Sequence, residues 1–487
     1  MTGSRVDWLA SAGRSSPWSD ARVCVVGGLG VSGFAAADAL VQLGADVVVL
    51  DDEATAVAAR ERATLLEILG VDVRMGPGST DRLPDGLDLV VTAPGLPPTT
   101  PVLVAAGAAG LPVWGEVELA WRIMDPAHET PWLCVTGTNG KTTTVRMLES
   151  MLRAEGLRAT AAGNVGLPMC EVVMDPEPYD VLAVELSSHQ LHGLHSLSAE
   201  GAVVLNVAPD HLTWHGDLER YQAAKAKIYH RCRVACVYNV EEPLTREMVE
   251  QAEVVEGCRA VGFTLGVPAV GMVGVVDGVL ADRAFVQARA HSAAELARVD
   301  DVPTGAPHNV ANALAAAALA RAHGVSAASV GRGLRSFRLD SHRIEVVGEV
   351  NGVRYVDDSK ATNPHAAQAS LLSTESVVWI AGGLCKGAEF DELVTRVRHR
   401  LRAVVLLGAD RGAIAAALSR HAADVPVIDV PDADTGVMER VVAAAASVAE
   451  PGDTVLLAPA CASQDMFANY AARGDAFVSA VAGLRGR

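Results

Sequence analysis

The chain has 487 residues, half of them apolar, and 58 acidic against 40 basic side chains leave a formal charge of −18. Such a length exceeds what one hydrophobic core fills and points to roughly two to four domains. The acidic balance argues against nucleic acid or an anionic membrane as the main partner, while local basic residues remain suited to anionic small molecules.

Arg5, Asp7 and Arg14 interrupt any apolar leader at the start of the chain. No apolar stretch reaches the ~18 uncharged residues of a membrane span, so neither export nor membrane insertion is expected. The eight cysteines are scattered, with Cys24, Cys134 and Cys170 inside apolar runs. Cys232 and Cys236 are four apart, but no second pair completes a zinc spacing. A reduced, cytoplasmic protein is expected.

The first block runs from about residue 20 to 127. Val23-Cys24-Val25-Val26 reads as a strand, Gly27-Gly28-Leu29-Gly30-Val31-Ser32-Gly33 as a glycine turn, and Phe34 to Leu43 as a helix. Val47 to Leu50 follows as a second strand and ends in Asp51-Asp52. A βαβ unit with an acid about twenty residues past its glycines is the fingerprint of dinucleotide binding. An NAD-dependent dehydrogenase is therefore one reading of these residues alone. Leu89-Val90-Val91 then runs into the rigid loop Thr92 to Pro98.

A proline-flanked segment, Asp125-Pro126 to Pro131, opens the second block. The apolar run Trp132-Leu133-Cys134-Val135 reads as a buried strand, and Val145 to Leu152 as an amphipathic helix. Between them stands Gly137-Thr138-Asn139-Gly140-Lys141-Thr142-Thr143. Strand, glycine loop, Lys-Thr and helix form a cradle for a nucleotide triphosphate. Loop N–H groups face the phosphates, Lys141 neutralises charge, and the Thr142 hydroxyl can ligate Mg²⁺. Val135 occupies the place of the usual first glycine, so the loop is tighter than the common phosphate loop. Further strands are Val181 to Val184, followed by Glu185, and Ala202 to Leu205, followed by Asp210-His211. The carboxyl ends of parallel strands border the ligand crevice, so Thr142, Glu185 and His211 are candidates to converge on one Mg²⁺. Val273 to Leu280 reads as a hairpin around Asp277-Gly278. Tyr221, Lys225 and Tyr229 repeat every four residues, which by itself makes Lys225 an ordinary helix-face lysine.

The third block begins near Arg338, with strands at Val377 to Ile380, Ala403 to Leu407 and Thr454 to Leu457. Alternating strands and helices throughout predict mostly parallel sheets in an α/β chain. A nucleotide-binding regulator without chemistry is a further functional alternative at this point.

Across nearly the whole length, the motifs resemble the ATP-dependent Mur ligases, with which folylpolyglutamate synthase shares its fold. They are Gly137 to Thr142, Gly163-Asn164-Val165-Gly166, Glu185-Leu186-Ser187-Ser188, Asp210-His211, Lys225 to Tyr229, His308-Asn309-Val310-Ala311-Asn312 and His342-Arg343. Asp357 to Asn363, Pro459 to Phe467, Arg473-Gly474 and Phe477 are similar to the branch of the family that adds D-glutamate. The Asp-Asn-Pro-Arg motif of the diaminopimelate-adding branch is absent, and Asn139 stands where the L-alanine-adding branch carries histidine.

The resemblance implies three domains: a Rossmann-like UDP-precursor domain over 1–128, a phosphate-loop ATP domain with a parallel sheet over 129–337, and a Rossmann-like amino-acid domain over 338–487. It implies a monomeric cytoplasmic enzyme of peptidoglycan precursor synthesis. That enzyme would use ATP to add D-glutamate to UDP-MurNAc-L-alanine through an acyl phosphate. Ser32, Asp51, Asn164, Ser187 and Gln190 then match contacts to the UDP precursor. Gly137, Thr138, Asn139, Gly140, Lys141, Thr142 and Thr143 match the ATP phosphate cradle. Asn309 and Asn312 match adenine contacts, and Arg343 and Asp358 match contacts to ATP phosphate and ribose. Thr142, Glu185, His211 and a carbamylated Lys225 match the ligands of two Mg²⁺ ions, and with Lys141 they form the catalytic set. Lys360, Thr362, Lys386, Ser463 and Tyr470 match the D-glutamate side. Three positions depart from the family's pattern: Asp52, where a hydroxyl is commoner, His189, where Phe is common, and Leu384-Cys385, where a more polar pair precedes the lysine.

Overall fold

The computed structural model describes residues 7–53, 55–339, 341–431 and 436–485. The chain divides into two compact units, Met1–Phe337 and Arg338–Arg487. In the first unit, five parallel strands form one sheet: β1 (Arg22–Val26), β2 (Asp46–Asp51), β3 (Asp72–Met75), β4 (Leu89–Thr92) and β5 (Val113–Gly115), in the order β3-β2-β1-β4-β5. Val23, Cys24, Val25 and Val26 are fully buried on the central strand, which is why its sequence is apolar without alternation. The first helix is Val31–Gln42, starting three residues before the expected Phe34 because extended Gly30 serves as its N-cap. A Cβ on Gly33 would stand 2.2 Å from the Gly27 carbonyl oxygen, so only glycine lets the helix approach the turn this closely.

The second sheet of this unit has nine strands: β6 (Trp132–Thr136), β7 (Ala159–Gly163), β8 (Val181–Glu185), β9 (Gly201–Val204), β10 (Ala235–Asn239), β11 (Arg259–Phe263), β12 (Met272–Val276), β13 (Val279–Asp282) and β14 (Ala294–Arg298). Their order is β14-β13-β12-β11-β10-β9-β6-β8-β7. The strands from β6 to β12 are parallel to their neighbours, and β12-β13-β14 is an antiparallel extension. Asp277 and Gly278 have φ of 48° and 76°, the two left-handed residues that the expected hairpin turn requires. β6 lies between β8 and β9, so the chain winds away from it in both directions and leaves a crevice at its carboxyl end.

The second unit holds β15 (Glu345–Val350), β16 (Val353–Asp357), β17 (Val377–Gly382), β18 (Leu401–Leu407), β19 (Val427–Asp429) and β20 (Thr454–Leu457), in the order β15-β16-β20-β17-β18-β19. Only the β15–β16 pair is antiparallel. The expectation of α/β architecture with mostly parallel sheets is met in all three. Among the described residues, no helix is long and apolar enough to cross a membrane.

Candidate active site

The phosphate loop links β6 to the helix Lys141–Ala154. Gly140 is the helix N-cap at φ 83°, and a Cβ there would meet the Asn312 carboxamide oxygen at 2.4 Å. Glycine is thus required for two reasons, a left-handed backbone and the close approach of the helix Pro307–Ala322. Asn312 is thereby placed against the loop, and Asn309, buried on the same helix, donates to Thr304 Oγ1 at 3.0 Å.

The loop is held open by neighbours at the carboxyl edge. Asn206, just past β9, accepts from the Asn139 N–H at 2.9 Å and donates to the Asn139 carbonyl at 3.1 Å. Thr138 Oγ1 meets the Tyr221 hydroxyl at 2.9 Å and accepts from the Ala208 N–H at 3.0 Å. Neither Asn206 nor Tyr221 is marked as a site residue by the sequence, where Tyr221 enters only through its four-residue spacing from Lys225. A polar residue directly after a strand on the phosphate-loop edge was the available signal for Asn206. Thr142 and Thr143 are buried in the first helical turn, and Lys141 Nζ donates to the Gly137 and Thr138 carbonyls, both at 2.9 Å. Its ammonium is therefore folded onto the loop that would carry the phosphates.

Glu185 ends β8 and is 1% exposed. Its Oε1 accepts from Asn164 Nδ2 at 2.8 Å, whereas Oε2 is buried with no hydrogen-bond partner among the described residues. A buried carboxylate oxygen left unpaired is costly unless a cation completes it. Lys225, on the helix Leu218–Ala226, is also 1% exposed, so it does not lie on a solvated helix face. Its Nζ donates to the Gly137 carbonyl at 2.9 Å and stands 4.7 Å over the Tyr221 ring. Burial first, then the Lys141 charge, hold the Lys225 ammonium well below the ordinary lysine range, and Asp210 and Glu185 oppose that shift. The donor set fits a metal: an unpaired buried carboxylate oxygen, a helix-first-turn threonine, and a lysine driven toward its neutral amine.

His211 has φ 52° and leads into the short helix Leu212–His215, with its ring 3.6 Å from Asp210 Oδ2. The ring of His189 stands edge-on to those of His211 and Trp214, each with centroids 4.6 Å apart. Burial, with help from His211 and His215, pushes His189 down to about 3, so it is a neutral aromatic ring at physiological pH. His189, His192, Gln190 and Trp214 line one side of a cavity of about 380 Å³, with Thr92, Leu96, Trp114 and Glu116 on the other. Ser187 and Gln190 form a reciprocal capping box: Ser187 Oγ accepts from the Gln190 N–H at 3.2 Å, and Gln190 Oε1 accepts from the Ser187 N–H at 2.9 Å. Here their side chains orient the helix that faces the cavity.

In the first sheet, Asp51 Oδ2 accepts from the Leu29 N–H at 2.8 Å and Oδ1 from the Glu53 N–H at 2.9 Å. The acid at the end of β2 braces the glycine turn whose next helix carries Ser32 in its first turn. Asp52 accepts from Thr80, the hydroxyl at 2.6 Å, and that bond lowers its pKa.

The second unit holds the remaining candidates. Asp358 is buried, accepts from the Ser370 hydroxyl, and is raised by burial to about 6, with Ser370 and Arg343 opposing. Lys360 Nζ lies 5.0 Å over the Tyr470 ring. Ser463 Oγ is buried without a hydrogen-bond partner among the described residues, which suits a ligand acceptor. Leu384 exchanges two 2.9 Å backbone bonds with Ala462, and the Cys385 and Cys461 sulfurs are 3.1 Å apart. The apolar Leu384-Cys385 pair thus fastens the Lys386 loop to the Ser463 segment. Thr362 donates its N–H to the Lys360 carbonyl at 2.9 Å. Arg473, fully buried, donates to the Ser359 hydroxyl and carbonyl and to the Cys461 carbonyl, bracing both loops; sequence reading noted it only as a motif residue.

Comparison with known proteins agrees with this geometry. Residues 22–115 match the family described as Mur ligase MurD-like, N-terminal domain, residues 135–320 the Mur ligase middle domain, and residues 342–461 the Mur ligase, glutamate ligase domain. The chain belongs to the Mur ligase family. It is 59% identical over 470 residues to the UDP-N-acetylmuramoylalanine--D-glutamate ligase of Streptomyces avermitilis, covering 96% of this chain and 99% of that one. The enzyme of the same name from Mycolicibacterium smegmatis is 47% identical, with 95% and 96% covered. The crystal structure of UDP-N-acetylmuramate-alanine ligase MurC from Thermotoga maritima shares the fold, with a TM-score of 0.56 at 21% identity, over 95% of this chain and 99% of that one. Membership removes the dehydrogenase suggested by the first glycine turn.

Proposed function

We propose that the protein is an ADP-forming ligase that joins D-glutamate to UDP-N-acetylmuramoyl-L-alanine during cytoplasmic assembly of the peptidoglycan precursor. The observation that carries this reading is the buried, half-satisfied Glu185 carboxylate at the same sheet edge as Lys141 and Lys225. Relatives named for this activity, 46–59% identical over nearly the whole chain, support the choice of amino acid. The eight cysteines are all free thiols, in keeping with a reducing compartment. The same reading takes 1–128, 129–337 and 338–487 as the UDP-precursor, ATP and amino-acid domains of a monomer.

The reaction brings anions together. The carboxylate of the L-alanyl group attacks the γ-phosphorus of ATP; an O–P bond forms, the bond to the β-phosphate oxygen breaks, and ADP leaves. The amine of D-glutamate then attacks the acyl carbon, phosphate departs, and the amine proton passes to solvent. Lys141 exchanges its two loop carbonyls for phosphate oxygens and offsets the charge on the transferring group. Thr142, Glu185, His211 and Lys225 would hold two Mg²⁺ ions, whose contribution is further neutralisation of the phosphates. The Lys225 amine, kept toward neutrality by burial, is the form that adds CO₂: a C–N bond forms, a proton leaves, and the resulting carbamate offers an oxygen. Loop N–H groups of Gly137 to Thr143 cradle the phosphates and Asn309 and Asn312 the adenine. Arg343 and Asp358 also serve ATP. Ser32, Asp51, Asn164, Ser187 and Gln190 serve the UDP precursor, and Lys360, Thr362, Lys386, Ser463 and Tyr470 serve D-glutamate.

The test is ADP release with UDP-MurNAc-L-alanine against a panel of amino acids. Release with D-glutamate alone is expected. Equal turnover with L-alanine or meso-diaminopimelate would move the chain to another branch of the family.

A further inference from the structure

Three cysteines that the sequence spacing leaves incomplete as a metal motif come together in the first unit. Cys232 follows the turn Lys227–Tyr229 that ends the Lys225 helix, Cys236 lies on β10, and Cys258 directly precedes β11. β10 and β11 are parallel neighbours, with Ala235 opposite Arg259, so their starts bring Cys236 and Cys258 together. The three sulfurs lie within 4.8 Å of one another. Cys236 Sγ and Cys258 Sγ are 3.8 Å apart. Two ligands at the Zn–S distance of about 2.3 Å in a tetrahedron are separated by about 3.8 Å, so this edge has the length of a thiolate metal site.

The surroundings fix the sulfurs and leave a path to them. The Cys232 thiol donates to the Ala235 carbonyl at 3.3 Å and to the Glu200 carbonyl at 3.7 Å, which holds its sulfur beside the other two. Cys232 and Cys236 are buried, while Cys258 is half-buried and gives an ion a way in. Three small apolar side chains would fill the same space without converging sulfur atoms.

We propose that Cys232, Cys236 and Cys258 form a binding site for a thiophilic divalent ion of the zinc class, separate from the Mg²⁺ positions. Soft thiolates select such an ion over Mg²⁺. Binding replaces thiol protons by metal–sulfur bonds and releases the protons to solvent. The ion would tie the segment after the Lys225 helix to β10 and to the start of β11, at the amino edge of the sheet opposite the phosphate loop.

The test uses the full-length protein, reduced and stripped of metal, in excess Mg²⁺. Cd²⁺ is titrated and the thiolate-to-metal charge-transfer absorption is followed, with Zn²⁺ as competitor. One equivalent per chain is expected, displaced by Zn²⁺, with a higher Tm that a chelator reverses. Cys258→Ser, at the most exposed of the three, should weaken binding about a hundredfold or more while keeping the far-UV circular dichroism of the parent. Cys236→Ser should do the same, and Cys24→Ala in the first sheet should leave the titration unchanged. Absence of a stoichiometric band in the folded parent, or a band of undiminished affinity in Cys258→Ser, would overturn the proposal.

Discussion

Lys225→Met should stabilise the free protein while abolishing its chemistry. Met keeps the length and apolar stem of a side chain that is 1% exposed. Lys225 is held well below its unfolded value, so the unfolded chain binds more protons between the folded and unfolded pKa values. Its favourable state is therefore reached above the unfolded pKa, and stability is lost as pH falls toward the folded one. At pH 7 the cost of a buried lysine has a ceiling of about 4–5 kcal/mol, since beyond that the group releases its proton. Against this stands the bond to the Gly137 carbonyl, worth about 1–2 kcal/mol. That carbonyl also accepts from Lys141 at 2.9 Å, so the substitution orphans no acceptor. The net expectation in bicarbonate-free buffer is a gain of about 1–3 kcal/mol, or roughly 1–4 °C in Tm for the Met1–Phe337 unit melting as one. Turnover should fall about a thousandfold. Added bicarbonate should raise the Tm of the parent and leave that of Lys225→Met unchanged, because only the parent has an amine to carboxylate. Calorimetry with and without bicarbonate, beside ADP release, checks both. A Met variant that is less stable by more than about 2 kcal/mol, or keeps more than about a tenth of parental turnover, would refute the reasoning.

Lys141→Ala should lower turnover about a thousandfold with its circular dichroism unchanged, because it removes a transition-state charge partner from a loop and not from a core. Lys386→Met should raise the D-glutamate concentration needed for half-maximal rate far more than that for ATP; an unchanged D-glutamate dependence would remove Lys386 from the site. Asp358, raised to about 6 by burial, binds more protons folded than unfolded between pH 4 and 6, so its contribution is present below its unfolded pKa and lost as pH rises through 6. Asp358→Asn should therefore stabilise the protein at pH 7 by about 2–3 kcal/mol, with no gain at pH 3, and should weaken ATP use; equal effects at both pH values in urea melts would show that the carboxylate is not strained.

Much of this architecture is legible in the amino-acid order because it rests on local rules. Apolar runs such as Val23 to Val26 are buried strands in parallel sheets, Asp277-Gly278 makes the turn its left-handed geometry demands, and Gly137 to Thr142 opens a helix after a strand. The positions of Lys141, Glu185 and Asp210-His211 at strand ends follow from the same reasoning, since neighbouring parallel strands end on one edge. What periodicity could not show is where a side chain meets residues distant along the chain. Lys225 has helix-face spacing, and only the packing of its helix against the phosphate loop buries it on the Gly137 carbonyl. Ser187 and Gln190 read as ligand contacts, yet in this structure they first satisfy each other's backbone N–H groups. Cys258 is too far along the chain to complete a motif with Cys232 and Cys236, and the register of β10 with β11 brings it there. Local sequence determines backbone conformation within a few residues; burial, and with it the charge state of Lys225, Asp358 and the thiols, depends on which strands become neighbours.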